Sequence, residues 1–180
     1  MKRIYLPAME SVNFEDIGTF LSWLGSQPSG RISLAKLQRT AQVQPLKLGL
    51  LLRLLEQFAF VVKEPEAVSI CATGLKFSRA EKEARESMIK NQLLTAWPTR
   101  DLLGRLDESG TGRLAKREVL DVLRSGATMD VTEKMTVGIM AWGHSCKLFH
   151  FDGVAQEISR IVFRNPLPVG GNTASHLRGA

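Results

Sequence analysis

The chain has 180 residues, 44% of them hydrophobic and 23% charged, with a formal net charge of +6. That is the make-up of a folded globular chain of one domain or two small ones, able to bury ~70% of its unfolded surface; it excludes a disordered or fibrous chain. The charge is spread, 13 basic against 9 acidic side chains in residues 1–96 and 11 against 9 in residues 97–180, which permits an acidic partner without demanding one.

Lys2 and Arg3 open the chain like a secretory leader, but MKRIYLPAMESVNFED turns polar before an apolar stretch develops. The most apolar run, LKLGLLLRLLEQFAFVV, is broken by Lys47, Arg53 and Glu56 and falls short of the ~20 apolar residues a membrane span needs. Cys71 and Cys146 are the two cysteines, too few for a disulfide framework. A reduced, cytoplasmic chain is expected.

NFEDIGTFLSWLG predicts a helix. Asn13 is a capping residue, acids fill the first turn, and Ile17, Phe20, Leu21 and Leu24 recur at helical spacing. Gly25 and Pro28 end it. Ser33 caps a short helix, LAKLQRTA. QVQP turns the chain, and Pro45 starts a third helix, LKLGLLLRLLEQF. FAFVV and AVSI then read as strands around the turn KEPE. Helix, helix, helix, hairpin is the order of a winged helix-turn-helix. From Thr73-Gly74 onward, EKEARESMIKNQLLTAW predicts one long helix with Glu81/Arg85, Lys82/Glu86 and Glu86/Lys90 spaced for ion pairs on a solvated face.

After Pro98 the order repeats. TRDLLGRLD starts a helix, Gly112-Arg113-Leu114 echoes Gly30-Arg31-Ile32, and KREVLDVLRS is a short helix. VTEKMTVGIMAWGHS follows from a cap at Asp130 or Thr132. KLFHF alternates as a strand, DGVAQ turns, and EISRIVF returns. The expected fold is therefore mainly α with small β-hairpins, an α+β chain of tandem winged-helix-like units. The units are residues 1–79 and 98–163, joined by a connecting helix over 80–97 and followed by a flexible tail over 164–180, where Pro, Gly and small polar residues replace periodicity.

Catalytic signatures are missing. The sequence holds no G-x-x-x-x-G-K-[ST] phosphate loop, no G-x-G-x-x-G after a strand and no G-x-S-x-G elbow. His144, Cys146 and His150 crowd into seven positions, yet a helix end, a junction and a strand would scatter them, whereas metal ligands must converge within ~2.0–2.3 Å of the ion. DESGTGRLAKRE places Asp107, Ser109, Thr111 and Glu118 at calcium-loop positions. Only two of these are carboxylates, and Arg113, Lys116 and Arg117 oppose a cation, so a polar helix-to-helix turn is the simpler reading. No enzyme, cofactor or metal is expected.

Winged helices commonly bind DNA, which makes Arg31, Lys36, Arg39, Lys47 and Arg53 the candidate DNA contacts. The third helix argues against it: its apolar arc spans roughly 200°, wider than one core face needs. Its polar side offers Arg53 beside Glu56, and the wing carries Glu64 and Glu66, which phosphate would repel. Leu48, Leu51, Leu52 and Leu55 are then candidate protein contacts, provided that they are exposed.

YLPAMESVNFEDIGTFLSWL, GRISLAKLQRTAQVQPLKLGLLLRLLEQFAFV, AEKEARESMIKNQLL and MAWGHSCKLFHFD resemble the AAA-associated C-terminal domain. That domain follows the ATPase core in ATP-binding subunits of nitrate/sulfonate/taurine-type ABC importers. The likeness runs from about Tyr5 to about Val162. Its most telling part is Trp142-Gly143 followed by Leu148-Phe149 and Asp152, where the family reads like WGRYAELF-Y-D; His144, Ser145, Cys146 and Phe151 depart from that pattern. The resemblance implies a non-catalytic accessory or regulatory protein-interaction module whose partner is an ABC transporter ATP-binding subunit, peripheral at the inner face of the membrane. An ATPase core is not among the 180 residues, so a stand-alone member or a split subunit is expected. The alternative reading is a winged-helix DNA-binding transcriptional regulator.

Overall fold

The computed structural model describes residues 2–40 and 44–161. The expected tail over 164–180 lies outside the described residues, as do residue 41 and residues 42–43 of the QVQP turn.

The first repeat follows the expected order of elements, except that Phe58–Phe60 of the expected strand FAFVV belong to the turn at the end of the third helix. Helix α2 (Phe14–Gly25) starts from a capping box in which Asn13 Oδ1 accepts from the Asp16 N–H and Asp16 Oδ2 accepts from the Asn13 N–H, both at 2.8 Å. These bonds satisfy two N–H groups that a helix start otherwise leaves open. Strand β2 (Arg31–Ser33), α3 (Leu34–Thr40) and α4 (Pro45–Gln57) follow, then the hairpin β3 (Val61–Lys63) and β4 (Ala67–Ile70). The three strands form an antiparallel sheet in the order β2-β4-β3, with Ile32 opposite Val68 and Val62 opposite Ser69.

The second repeat copies this order with α7 (Thr99–Glu108), β6 (Arg113–Ala115), α8 (Lys116–Gly126), α9 (Glu133–Ser145), β7 (His150–Asp152) and β8 (Glu157–Ser159). Its sheet runs β6-β8-β7, again antiparallel. The likeness extends to backbone detail. α4 and α9 each end in a Schellman motif, with the Phe60 N–H donating to Leu55 O and the Leu148 N–H to Gly143 O, both at 2.9 Å. The residue in the left-handed region is Ala59 in one (φ 55°) and Lys147 in the other (φ 54°), where glycine is usual. In each repeat an arginine of the first strand pairs with a glutamate of the hairpin: Arg31 with Glu64, and Arg113 with Glu157 at 3.0 Å.

Between the repeats the connecting helix expected over 80–97 is present but shorter at both ends, and a separate short helix precedes it. α5 (Ala72–Arg79) ends where Ala80 is extended, and α6 (Lys82–Leu94) begins after it. Arg85 turns away from Glu81 and donates to the α5 carbonyls of Phe77 (3.1 Å) and Ser78 (2.7 Å), oxygens left open by the helix end. Glu86 faces Lys147 at 3.9 Å instead of a neighbour on its own helix. Residues 96–97 leave the helical path as β5 (Ala96–Trp97), which pairs in parallel with β1 (Lys2–Arg3).

Helix α1 (Leu6–Ser11) is the piece that joins the repeats. It packs against α4 on one side and α9 on the other, and buries Leu6, Ala8 and Met9. Trp142 of α9 donates from Nε1 to Val12 O at 3.1 Å. The buried apolar side chains of both repeats form one contiguous core, which gives two copies of one pattern a shared interior. Among the described residues no helix is long and apolar enough to cross a membrane.

Candidate interaction surface

The leucines of α4 are core. Leu48, Leu51, Leu52 and Leu55 are 5%, 1%, 7% and 0% exposed. The wide apolar arc is needed because α4 is covered from several directions, by α1, α2 and β3. The expectation that these leucines form a contact surface is therefore corrected: they hold the fold together. The exposed large apolar side chains include Leu46 at the start of α4 and Val154 at the tip of the second hairpin.

The five candidate DNA contacts do not assemble into one free basic face. Arg31 is paired with Glu64, Lys47 with Asp16 at 2.8 Å, and the Arg53 guanidinium lies 3.8 Å over the Tyr5 ring. Lys36 and Arg39 remain exposed on α3. The calcium-loop residues are likewise engaged by the protein. Asp107 pairs with Arg160 at 2.6 Å, Glu118 accepts from the Ala115 N–H at 2.8 Å to cap α8, and Ser109 donates to Leu106 O at 3.0 Å. Thr111 is exposed, and the chain passes at once into β6. Two carboxylates held by different partners do not form a cation cage.

The histidines behave differently from the sequence expectation. The left-handed turn at Lys147 folds the chain back onto the end of α9, and the His144 and His150 rings meet edge to face at 5.2 Å. His144 Nδ1 accepts from the Phe151 N–H at 3.1 Å, so its ring helps start β7. Cys146 stands apart as a buried side chain; burial pushes its thiol up to about 12, with Glu86 adding to the shift and Lys90 opposing it. That thiol keeps its proton and is a packing group. Among the described residues no three His, Cys, Asp or Glu side chains are gathered closely enough to hold a metal ion.

The surface feature that sequence reasoning missed is a groove of about 1080 Å³ beside α9. One wall runs from Met9 to Glu15, the other is the outer face of α9 with Lys134, Val137, Gly138, Ala141 and Ser145, and Lys82 and Glu86 of α6 close one end. Close approach of the two walls depends on Gly138: a Cβ there would lie 2.6 Å from Met9 O. Glu10 and Glu15 are exposed on the rim, and Phe14 meets the Trp142 ring edge-on at 4.5 Å in the floor. The one trace of this groove in the sequence is the small-residue side of VTEKMTVGIMAWGHS, a pattern too common to single out.

The Trp142-Gly143 and Leu148-Phe149 segment has a physical basis. A Cβ at Gly143 would fall 2.0 Å from the Phe149 ring, which is fully buried; the glycine clears space for the ring while the preceding tryptophan ties α9 to Val12. Asp152 accepts from the N–H groups of Val154 (2.8 Å) and Ala155 (3.0 Å) and shapes the hairpin turn. Those donors, Ala155 first, hold its carboxyl below the ordinary carboxylate value.

The family described as the C-terminal AAA-associated domain matches residues 35–152. The chain belongs to this family. The matched span runs from α3 to the end of β7 and is narrower than the Tyr5–Val162 expected from the sequence. The α9 wall of the groove thus lies inside the AAA-associated domain as matched, whereas the Met9–Glu15 wall precedes it. No curated protein and no solved structure matches the chain.

Proposed function

We propose that this AAA-associated domain is a non-catalytic accessory module that works by protein contact with an ABC-type ATP-binding subunit, at the inner face of the membrane. Family membership over residues 35–152 is the observation that carries the reading. The α9 groove is the contact surface within it, since the leucines of α4 are used up in the core. Val137, Ala141 and Phe14 lining the groove, beside the charged Glu10, Glu15, Lys82, Glu86 and Lys134, give it the apolar and polar character of an interaction site.

A photo-crosslinking amino acid at Ala141, exposed in the groove, tests this in cells. A second at Ala59, exposed at the end of α4, serves as the control. The expected outcome is an adduct with a Walker-motif ATPase from Ala141 and none from Ala59. Adducts from neither position, or adducts with DNA in place of protein, would overturn the reading.

A further inference from the structure

A second concavity lies away from the groove, where β1, α1, α4, β5 and the α8–α9 link meet. It is a cavity of about 390 Å³, with Arg3, Tyr5, Arg53, Gln57, Trp97 and Met129 among its walls. That volume is near the lower end of the range for small-molecule sites. The walls are drawn from segments distant in sequence, and the β1–β5 pairing and α1–α4 packing hold them together.

The charge in this cavity is one-sided. Two guanidiniums line it and no carboxylate does. Each lies near an aromatic ring, the guanidinium carbon of Arg53 3.8 Å from the centre of the Tyr5 ring and that of Arg3 5.5 Å from the centre of the Trp97 ring. Arg3 also donates from Nη1 to Gly126 O at 2.9 Å. Among the described residues neither is in an ion pair, whereas Arg31, Arg113, Arg160 and Lys47 each have a carboxylate partner. A guanidinium carries five N–H donors, so Arg3, with one bond to Gly126 O, and Arg53 both keep donors for an acceptor. Gln57 Oε1 accepts from the Tyr5 N–H at 2.9 Å, which fixes the amide and leaves its –NH2 as a further donor.

We propose that this cavity binds a compact organic anion, with its anionic head held by Arg3 and Arg53 and its apolar body against Tyr5, Trp97 and Met129. The bond from Arg3 to Gly126 O and the contact of Arg53 with the Tyr5 ring hold the cations in place before the ligand arrives, which lowers the ordering cost of binding. The apolar walls favour an anion with a ring or branched body over a bare inorganic ion. This site is independent of the protein-contact reading, because no residue lines both the cavity and the α9 groove.

Isothermal titration of the full chain with benzoate, benzenesulfonate and inorganic phosphate tests the site. The expected result is saturable one-site binding of benzoate or benzenesulfonate with a Kd of about 1 mM or tighter, and weaker binding of phosphate. Arg53→Gln is expected to weaken it about ten-fold or more by removing a charge-assisted contact. Thr128→Glu, at an exposed wall position, supplies an internal counter-ion without disturbing the core and is expected to have the same effect. Circular dichroism melts confirm that each variant is folded. Absence of binding of all three probes, phosphate binding as tightly as the organic anions, or affinity unchanged in folded Thr128→Glu would each overturn the proposal.

Discussion

Two helical glycines respond oppositely to the same substitution. Alanine replaces an interior helix glycine with a gain of about 1 kcal/mol, because it has less backbone freedom to lose on folding. Gly49 in α4 has nothing within 4 Å of a new Cβ, so Gly49→Ala is expected to show that gain in full. At Gly138 the same methyl would stand 2.6 Å from Met9 O, 2.9 Å from Met9 C and 3.1 Å from Glu10 Cα. Ordinary contact begins at 3.4 Å, so α1 must retreat by about 0.8 Å from α9. The obstacle is backbone and cannot swing aside, which puts the penalty at the upper end of ~1–3 kcal/mol for overpacking. Net of the propensity gain, Gly138→Ala is expected to lose ~2 kcal/mol, or about 4–8 °C in Tm for a chain of this size. Urea unfolding followed by far-ultraviolet circular dichroism measures both variants. A Gly138→Ala protein as stable as the parent would refute the close α1–α9 seam, and a destabilised Gly49→Ala would refute the reasoning about open space.

Trp142→Phe removes the Nε1 bond to Val12 O and leaves that buried carbonyl without this partner; a loss of ~1–3 kcal/mol in urea unfolding is expected. The Cys146 thiol, raised to about 12, keeps its proton in the folded chain at a pH where the unfolded thiol has lost it. Its contribution to stability is therefore fully present below the unfolded value near 9 and is lost as pH rises toward about 12. At pH 8 a thiol reagent is expected to label half-buried Cys71 while Cys146 reacts only on unfolding, as peptide mapping by mass spectrometry would report.

Local pattern and turn chemistry made both repeats readable. The Asn13 cap, the strand AVSI, and the echo of Gly30-Arg31-Ile32 in Gly112-Arg113-Leu114 all state their structure within a few residues, whereas Phe58–Phe60 of the expected strand FAFVV form the turn that ends α4. What could not be read depends on distant partners. LPAMES is too short to announce a helix, and it is one because α4 and α9 cover it. Lys2–Arg3 and Ala96–Trp97 become strands only through each other. The breadth of the leucine arc on α4 was visible, but a wide apolar face reads the same whether its second cover is another chain or its own first helix. The meeting of His144 and His150 was hidden because Lys147 occupies a left-handed position that glycine usually marks. The cation cavity was hidden because Arg3 and Arg53 stand far apart in sequence.

The bond from Trp142 to Val12 spans 130 positions. During synthesis α1 emerges before α9 and at first finds only part of its site. Until α9 follows, Leu6, Ala8, Met9 and Val12 have one side uncovered, a surface open to chaperones and to wrong pairings. Closure of the α1–α9 seam is thus expected to be a late event on the ribosome, with slow kinetics set by sequence separation more than by the local speed of helix formation. Fusions or truncations that remove α9 would leave the start of the chain permanently in that unfinished state.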